Sequence, residues 1–250
     1  MKKILSLVLV LSMALCLFAG CASKEGDTSD KLTMATNAEF PPFEYLENGE
    51  IVGADVEIAQ AIAKKLGKEL EITNIDFDAA LTGAATGKYD MAVAGITAND
   101  DRKKNMNFSV DYYTASQAII VMSDSEIATA ADLSGKTIAC QEGTTGEQYL
   151  MDNNYSIQSF KTGAEAVSAM TSGKVDAVVI DDAVARALSS KQNGTTKVLD
   201  EALTKEAYAI ALEKGDEELT KEINKALEEL KADGTLAKIF GKYDLPYDAE

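Results

Sequence analysis

The sequence contains no histidine and no tryptophan, and it has only three prolines and three cysteines. Without histidine, the chain lacks the most common general base of enzymes, the histidine-based catalytic triads and the most common ligand of transition metals. Neither a P-loop nor a GxGxxG motif occurs in it. These absences do not exclude an enzyme, but they remove most of its usual chemistry.

Long apolar runs are also scarce, and the longest one begins the chain. Two lysines precede an almost wholly apolar segment, residues 4–18, and Ala19-Gly20-Cys21 follows. This is the pattern of a secretory signal with small residues at its cleavage site, and the run is shorter than the roughly 20 apolar residues of a membrane span. Cleavage before a cysteine is typical of bacterial lipoproteins. We therefore predict a signal peptide over residues 1–20, a lipidated Cys21 and a flexible tether over residues 21–30; a plain secretory signal is the alternative.

Cysteine usage then excludes an intrachain disulfide in the mature protein. Cys16 leaves with the signal and Cys21 carries the lipid, so Cys140 is alone. The apolar run that ends at Cys140 predicts a buried strand. A buried structural thiol is therefore favoured over a nucleophile.

Positive charge is in short supply as well. The 24 lysines and arginines face 41 acidic residues, a net charge of −17 that becomes −19 when Lys2 and Lys3 leave with the signal. An acidic surface argues against nucleic acid and against anionic lipid headgroups as partners. About 230 mature residues suffice for one large domain or two small ones.

Strands and helices alternate from residue 31 onward, which predicts an α/β fold. An amphipathic helix is predicted over Ala54–Leu66, with Gly67 as its C-cap. Two extended stretches without a helix just before them, residues 118–122 and 207–212, predict crossings between two α/β units, the second inserted into the first. The other predicted strands are 32–36, 70–73, 91–94, 137–140, 156–160 and 175–180, and the other predicted helices are 77–85, one from about 145, 164–170, 183–188, 217–230 and 236–240.

Several residues with distinct chemistry follow the predicted strands, at the carboxyl ends where open parallel sheets bind ligands. Arg102 offers a planar fork for a carboxylate, and Thr97 offers a hydroxyl and a backbone N–H beside it. Residues 143–146 predict a helix N-terminus, whose free N–H groups favour an anion. Asp181 supplies a negative charge for an ammonium group. With two phenylalanines as apolar walls, this set describes a site for a free amino acid.

Each of these residues also has a structural interpretation when taken alone. Phe40 beside two prolines is typical of a core residue, and Arg102 lies in a charged turn that is typical of a solvated surface. Asp181 before Asp182 is typical of a helix cap. These two with Asp176 suggest a metal site, but the strand separates Asp176 from the others. Only the joint placement at strand ends favours a ligand site.

Four sequence blocks carry a family resemblance. Residues 35–45, ATNAEFPPFEY, resemble an opening motif, and residues 53–59, GADVEIA, resemble a G-F-D-x-D-(L/I)-A signature. Residues 96–102 and 141–145 match two further blocks. From Lys31 to the C-terminus the chain resembles the solute-binding proteins of ABC importers for polar amino acids.

The resemblance implies a two-lobe flytrap fold of the type II periplasmic binding proteins. Lobe 1 would comprise residues 31–114 and 208–250, and lobe 2 residues 115–207. It implies that Arg102, Thr97 and backbone N–H groups near Thr145 hold the α-carboxylate of the ligand. Asp181, with the Gly95 carbonyl and Thr97, would hold the α-ammonium, and Phe40 and Phe77 would sandwich the side chain. The full candidate set is Asn37, Glu39, Phe40, Phe77, Gly95, Ile96, Thr97, Arg102, Gln141, Thr144, Thr145 and Asp181.

The same resemblance implies a receptor without catalytic activity, cofactor or metal. Its expected partners are a free amino acid, the membrane subunits of an ABC permease and the membrane through a lipid anchor; we expect a monomer outside the cytoplasm. A dehydratase-type enzyme, with Glu39 or Glu142 as acid or base, and a ligand sensor are the alternatives. Some relatives carry an aspartate in place of Asn37 to meet a cationic side chain, so its absence argues against a lysine-type ligand, whereas Glu39 favours a cationic one. Glutamine and arginine remain open.

Overall fold

The computed structural model describes residues 30–247. The predicted signal peptide, Cys21 and the tether up to residue 29 lie outside these residues. The chain from Lys31 onward forms one compact unit. None of the helices within residues 30–247 has the length and hydropathy needed to cross a membrane.

Strands and helices alternate as the sequence predicts. Strands are β1 Lys31–Thr36, β2 Glu39–Phe40, β3 Glu44–Glu47, β4 Glu50–Val52, β5 Glu69–Asn74, β6 Met91–Ala92, β7 Met106–Phe108, β8 Tyr113–Ala115, β9 Gln117–Met122, β10 Thr137–Gln141, β11 Ser156–Phe160, β12 Ala177–Asp181, β13 Thr196–Val198, β14 Glu206–Tyr208 and β15 Ala211–Glu213. Helices are α1 Ala54–Leu66, α2 Phe77–Ala85, α3 Asp100–Lys103, α4 Thr145–Asp152, α5 Gly163–Thr171, α6 Asp182–Ser190, α7 Glu217–Ala232 and α8 Thr235–Lys242, with a 3₁₀ turn at Ala130–Leu133.

Two five-stranded sheets form the centres of the two lobes. The first has the order β5-β1-β6-β15-β7, and the second has the order β11-β10-β12-β9-β13. In each, three strands are parallel and the last two strands in this order run antiparallel to their neighbours. The sheets are therefore mixed, whereas the sequence pattern predicted parallel ones. The second sheet comes wholly from residues 117–198, so this unit is inserted into the first, as predicted.

The two lobes are connected by a short antiparallel ribbon. Strand β8 pairs with β14 in a sheet of two strands, in the register Tyr113 to Tyr208. The prediction that residues 118–122 form the crossing is wrong, because β9 lies inside the second sheet and pairs with β12 and β13. The crossing is the segment just before it, which pairs with the returning chain and not with either large sheet.

Helix α1 and the hairpin before it show how local chemistry positions the first lobe. Acidic residues lie in the first turn of α1 and lysines in its last, which suits the helix dipole, and Gly67 ends it with φ 69°. Before it, Gly53 has φ 132°, and a Cβ there would lie 2.1 Å from the carbonyl oxygen of Phe43. The backbone N–H of Asp55 donates to that same carbonyl at 2.9 Å. Only glycine therefore permits the hairpin of β2 and β3 to pack on the start of α1.

Candidate functional site

A cavity lies where the carboxyl ends of β1 and β6 meet those of β10 and β12. Ten of the twelve predicted site residues line it. The lining residues are Asn37, Phe40, Glu44, Phe77, Ala94, Gly95, Thr97, Arg102, Gln141, Thr144, Thr145 and Asp181.

Two predicted site residues do not line this cavity. Glu39 is exposed on β2, and Ile96 is fully buried in the hydrophobic core beneath the first sheet. The carbonyl oxygen of Ile96 accepts from the backbone N–H of Ala209 at 3.0 Å. Strand alternation explains the placement of Glu39, because its neighbour on β2, Phe40, lines the cavity. Ile96 lies between two cavity residues, Gly95 and Thr97, and its own side chain packs into the core on the other side of the chain.

Arg102 lies in the short helix α3, which Asn99 caps by accepting from the Arg102 backbone N–H at 2.8 Å. Its guanidinium donates from Nη1 to the carbonyl oxygen of Thr97 at 2.9 Å and from Nη2 to that of Gly143 at 3.0 Å. The guanidinium carbon lies 5.4 Å from the centre of the Phe77 ring. Since a guanidinium has five N–H donors, three remain for a carboxylate in the cavity.

Beside Arg102, helix α4 begins at the cavity wall. Thr144 is its N-cap and accepts from the backbone N–H of Glu147 at 3.2 Å, while its hydroxyl donates to the carbonyl oxygen of Gln141. The first-turn N–H groups of a helix have no partner within the helix. Thr145, the first helical residue, lines the cavity. The predicted helix N-terminus is thus present, beside a guanidinium.

Asp181 ends β12 and occupies the N-cap position of α6, but its side chain makes no capping hydrogen bond. It accepts instead from the hydroxyl of Tyr208 at 2.5 Å and is only 4% exposed. Burial first, and then the charge of Glu206, raise the pKa of Asp181 to about 7. A buried carboxyl with such a pKa is stabilised in its charged form by a cation, so a ligand ammonium group would suit it.

Two aromatic rings form apolar walls. Phe40 and Phe77 are 6% and 8% exposed. Gly95 has φ 55°, and a Cβ there would lie 2.6 Å from the Phe40 ring. The Gly95 N–H donates at 2.8 Å to the buried carboxylate of Asp55, which also accepts from Tyr112. The cavity floor at Gly95 is therefore held by a charge-assisted hydrogen bond and is shaped to admit the ring.

Polar side chains lie at the contact between the two sheets. Gln141 Nε2 donates to Asn37 Oδ1 at 3.1 Å, and Asn37 Nδ2 donates to the carbonyl oxygen of Ile75 at 3.1 Å. The Gln141 oxygen is buried and has no hydrogen-bond partner among the described residues. A buried acceptor without a partner is costly, so this oxygen is available for a donor in the cavity.

Three further residues belong to the site, although the sequence did not single them out. Glu44 and Ala94 line the cavity. Both carboxyl oxygens of Glu44 are buried without a donor among the described residues; burial and the neighbouring Asp55 raise the pKa of Glu44 well above its usual range. Glu206 lies behind the cavity wall and accepts from Thr97. Glu44 lies in the ATNAEFPPFEY block, which was a usable signal, whereas nothing in the sequence around Glu206 points to it.

The residues considered for a metal site and for a reactive thiol have other surroundings. No group of three or more cysteine and acidic side chains suitable for a metal ion occurs within residues 30–247. Asp176 is exposed and accepts from the backbone N–H of Thr137. Cys140 is a free and fully buried thiol, and burial raises its pKa to about 11. Such a thiol is protonated at neutral pH, as expected of a structural cysteine.

Comparisons with known proteins identify the family to which this chain is similar. The family model described as bacterial extracellular solute-binding proteins, family 3, matches residues 32–245. The arginine-binding extracellular protein ArtP of Bacillus subtilis is 35% identical and aligns over 97% of this chain and 98% of its own length. The glutamine-binding protein GlnH of the same organism is 30% identical, over 97% of both chains.

Solved structures show the same likeness. An ancestral arginine-binding protein is 42% identical to this chain in two complexes, one with glutamine and one with arginine. Both cover 86% of this chain, and they cover 97% and 98% of the ancestral protein, with TM-scores of 0.82 and 0.81. The fold of this chain is thus that of a protein whose structures were solved with a single amino acid bound.

Proposed function

This chain belongs to the bacterial extracellular solute-binding proteins of family 3, and from that premise we propose that it binds a free polar amino acid in its cavity and delivers it to an ABC permease. The observation that carries the proposal is that groups of both charges line one cavity. Arg102 contacts the Gly143 carbonyl just before the N-terminus of α4, and Asp181 supplies a buried carboxyl. This arrangement complements the carboxylate and the ammonium of one amino acid.

The α-carboxylate is expected to bind at Arg102. The guanidinium has three unused N–H donors, and its position over Phe77 is maintained by the two carbonyl oxygens that it already contacts. The first turn of α4, from Thr145, adds backbone donors at the positive end of the helix dipole. The α-ammonium is expected to bind at Asp181.

The ligand's side chain would lie between Phe40 and Phe77 and end among polar groups. Gln141 offers its unpartnered oxygen there, and Asn37 and Glu44 line the same cavity. Acceptors of this kind suit amide or cationic groups that donate hydrogen bonds. The relatives named for arginine and glutamine support this class of ligand.

Ligand binding is expected to favour closure of two lobes. We propose lobe boundaries at residues 31–114 with 208–250 for lobe 1 and 115–207 for lobe 2, because the β8–β14 ribbon lies at these junctions. The hydrogen bond from Arg102 to the Gly143 carbonyl would join the two proposed lobes, which supports a closed form of this kind. A ligand adds contacts to both lobes, and its differential affinity for the closed form drives the equilibrium.

The site performs no reaction in this proposal, and the protein acts as a monomeric receptor outside the cytoplasm. The N-terminal pattern supports cleavage after residue 20 and lipid attachment at Cys21, which would keep the receptor near its permease. A Cys21→Ala variant is expected to appear in the medium or periplasmic fraction, whereas the wild type partitions with membranes. Equal membrane partitioning of the two would contradict the lipid anchor.

Binding is tested by a thermal-shift panel of the twenty amino acids on the mature protein. A ligand at 100 times its Kd stabilises the folded state by about 2.7 kcal/mol, a shift of a few degrees for a protein of this size. The matched variants are Arg102→Ala and Arg186→Ala, since Arg186 is an exposed arginine paired with Asp182 on α6. Arg102→Ala is expected to weaken binding at least a hundredfold and Arg186→Ala less than twofold. Absence of a shift with every amino acid would refute the proposed function.

A further inference from the structure

Glu206 on β14 connects two threonines that line the cavity. Its Oε2 accepts from Thr97 Oγ1 at 2.5 Å and from Thr145 Oγ1 at 2.7 Å, and its Oε1 accepts from Thr204 Oγ1 at 2.7 Å. Thr97 follows the first sheet, Thr145 begins α4 beside the second sheet, and Glu206 itself lies in the ribbon between them. One carboxylate therefore contacts a hydroxyl group from each side of the cavity.

These hydrogen bonds set the direction of both hydroxyl groups. A threonine hydroxyl has one hydrogen to donate and two lone pairs to accept, whereas an ionised carboxylate only accepts. Thr97 and Thr145 therefore both direct their hydrogen at Glu206. Thr145 Oγ1 also accepts from Gln117 Nε2 at 3.3 Å, which leaves one lone pair on Thr145 and two on Thr97.

Toward the cavity, these two side chains consequently present acceptors and no donors. An acceptor repels the ligand's carboxylate and attracts its ammonium group. Tyr208, two residues after Glu206 on β14, donates to Asp181 Oδ1 at 2.5 Å, so the acceptors and both carboxylates lie in one region of the site. Arg102 lies near enough for both carboxylates to act on it. The sequence resemblance assigned the Thr97 side chain to both ends of the ligand; its hydrogen bond to Glu206 favours the ammonium end.

We propose that Glu206 is a positioning residue that holds the Thr97 and Thr145 hydroxyls as acceptors and thereby builds, with Asp181, the ammonium half of the site. This inference rests on the proposed function, because it needs an amino acid as ligand. Arg102 and the backbone N–H groups of α4 then supply the donors for the carboxylate. Glu206, which does not itself line the cavity, would thus determine which end of the ligand binds beside Thr97 and Thr145.

The test uses Glu206→Gln in the mature protein. The amide is nearly isosteric, but its NH₂ group donates to a threonine oxygen and allows a hydroxyl hydrogen to turn toward the cavity. Isothermal titration calorimetry would measure Kd for L-arginine and L-glutamine, each beside its 2-hydroxy acid analogue, in which a hydroxyl replaces the ammonium. We expect the variant to weaken binding of the better amino acid at least tenfold, and binding of its 2-hydroxy analogue less than threefold.

Controls separate positioning from a merely structural role. Thr204→Val removes a hydrogen bond of 2.7 Å to the other oxygen of Glu206, together with the one that Thr204 Oγ1 accepts from the backbone N–H of Gln117. Because Thr204 does not line the cavity, this variant is expected to change every Kd less than twofold. Thr97→Val should repeat the ammonium-specific loss, and the double variant with Glu206→Gln should lose little more than either alone. If Glu206→Gln unfolds, Glu206→Asp, which is too short to contact both threonines, is expected to show the same selectivity in a milder form.

Three outcomes overturn the inference. Equal weakening of an amino acid and its 2-hydroxy analogue would show that Glu206 only supports the fold. Independent, additive losses in the double variant would show that Glu206 does not act through Thr97. Absence of binding of any amino acid to the wild type would instead refute the proposed function, and the inference with it.

Discussion

Binding of an amino acid is expected to release a proton from Asp181 below pH 7. The carboxyl is 4% exposed and accepts from Tyr208; burial, with the neighbouring Glu206, raises its pKa to about 7. The charge of Asp181 in turn contributes to the raised pKa of the buried Glu44 carboxyl. An ammonium group placed against Asp181 favours the carboxylate, so the ligand lowers this pKa and displaces the proton.

The magnitude follows from the fraction of Asp181 that is ionised before binding. With a pKa of about 7, roughly 90% of this carboxyl is charged at pH 8 and roughly 3% at pH 5.5. The apparent Kd should therefore rise about 30-fold between these pH values, equivalent to about 2 kcal/mol. Close to one proton per ligand should be released at pH 5.5, about half at pH 7, and about one-tenth at pH 8.

Calorimetry in buffers with different ionisation enthalpies measures this release, because the observed heat varies in proportion to the protons that the buffer takes up. Asp181→Asn is the control: it should bind more weakly at pH 8 and lose most of the pH dependence. A pH-independent Kd in the wild type, with no proton release at pH 5.5, would refute the reasoning. An unchanged pH dependence in Asp181→Asn would assign the proton to another group, such as Asp55, whose pKa burial raises to about 6.

As the pH rises, ligand affinity should increase whereas the stability of the unliganded protein should decrease. Asp55 and Asp181 have folded-state pKa values above their unfolded ones, so the folded state binds more protons between about pH 4 and pH 7. These two groups therefore make the unliganded protein less stable as the pH rises through this window. Saturating ligand should reduce the loss that Asp181 causes, which thermal unfolding at pH 5 and pH 8 would measure.

Three further predictions concern single residues. Gly95→Ala should cost about 1–3 kcal/mol more than Gly135→Ala and weaken ligand binding, since a Cβ at Gly95 would lie 2.6 Å from the Phe40 ring. Gly135 has a positive φ of 76° but open space around its Cβ position, so Gly135→Ala should cost about 1 kcal/mol and leave Kd unchanged. Burial raises the pKa of the Cys140 thiol to about 11, so it should not react with a thiol reagent at pH 8 until the protein is unfolded. Rapid labelling of the native state would contradict its burial. Tyr208→Phe removes the hydrogen bond to Asp181, which should lower the free energy of unfolding by about 1–3 kcal/mol. Because this bond lowers the pKa of Asp181, the pH midpoint of binding should also move upward in the variant. An unchanged midpoint would contradict this role of the hydrogen bond.

Much of the fold was predictable because its signals are local. The bounds of α1 and α2 match the prediction residue by residue, since the spacing of apolar residues and the glycine after α1 act within a few turns of chain. The crossing segments were less predictable. Residues 118–122 belong to the second sheet, and the predicted stretch 207–212 is divided between β14 and β15. Strand β8 is only three residues long, and its partner β14 lies about ninety residues away in the sequence, so no local pattern marks the pair.

The candidate site shows the same division. Arg102, Thr145 and Asp181 line the cavity, and local signals in the sequence pointed to them: Asp181 ends a strand, Thr145 begins a helix, and Arg102 lies in the segment after β6. The topology then brings these segments together at the ends of the strands. Glu39 was a poor prediction from proximity alone, because its side chain points to solvent on a strand whose next residue, Phe40, lines the cavity. Glu44 reaches the cavity only because the hairpin folds back on α1.

The sequence by itself determined the class of ligand site: a guanidinium, a helix N-terminus and an aspartate at strand ends, between two aromatic rings. Only the tertiary structure decided the pKa values of these groups and the direction of their hydrogen bonds. Tyr208 lies 27 residues from Asp181, and Glu206 lies 109 residues from Thr97 and 61 from Thr145. Hydrogen-bond direction and desolvation depend on which groups are within about 3 Å in space, and no pattern along the chain carries that information.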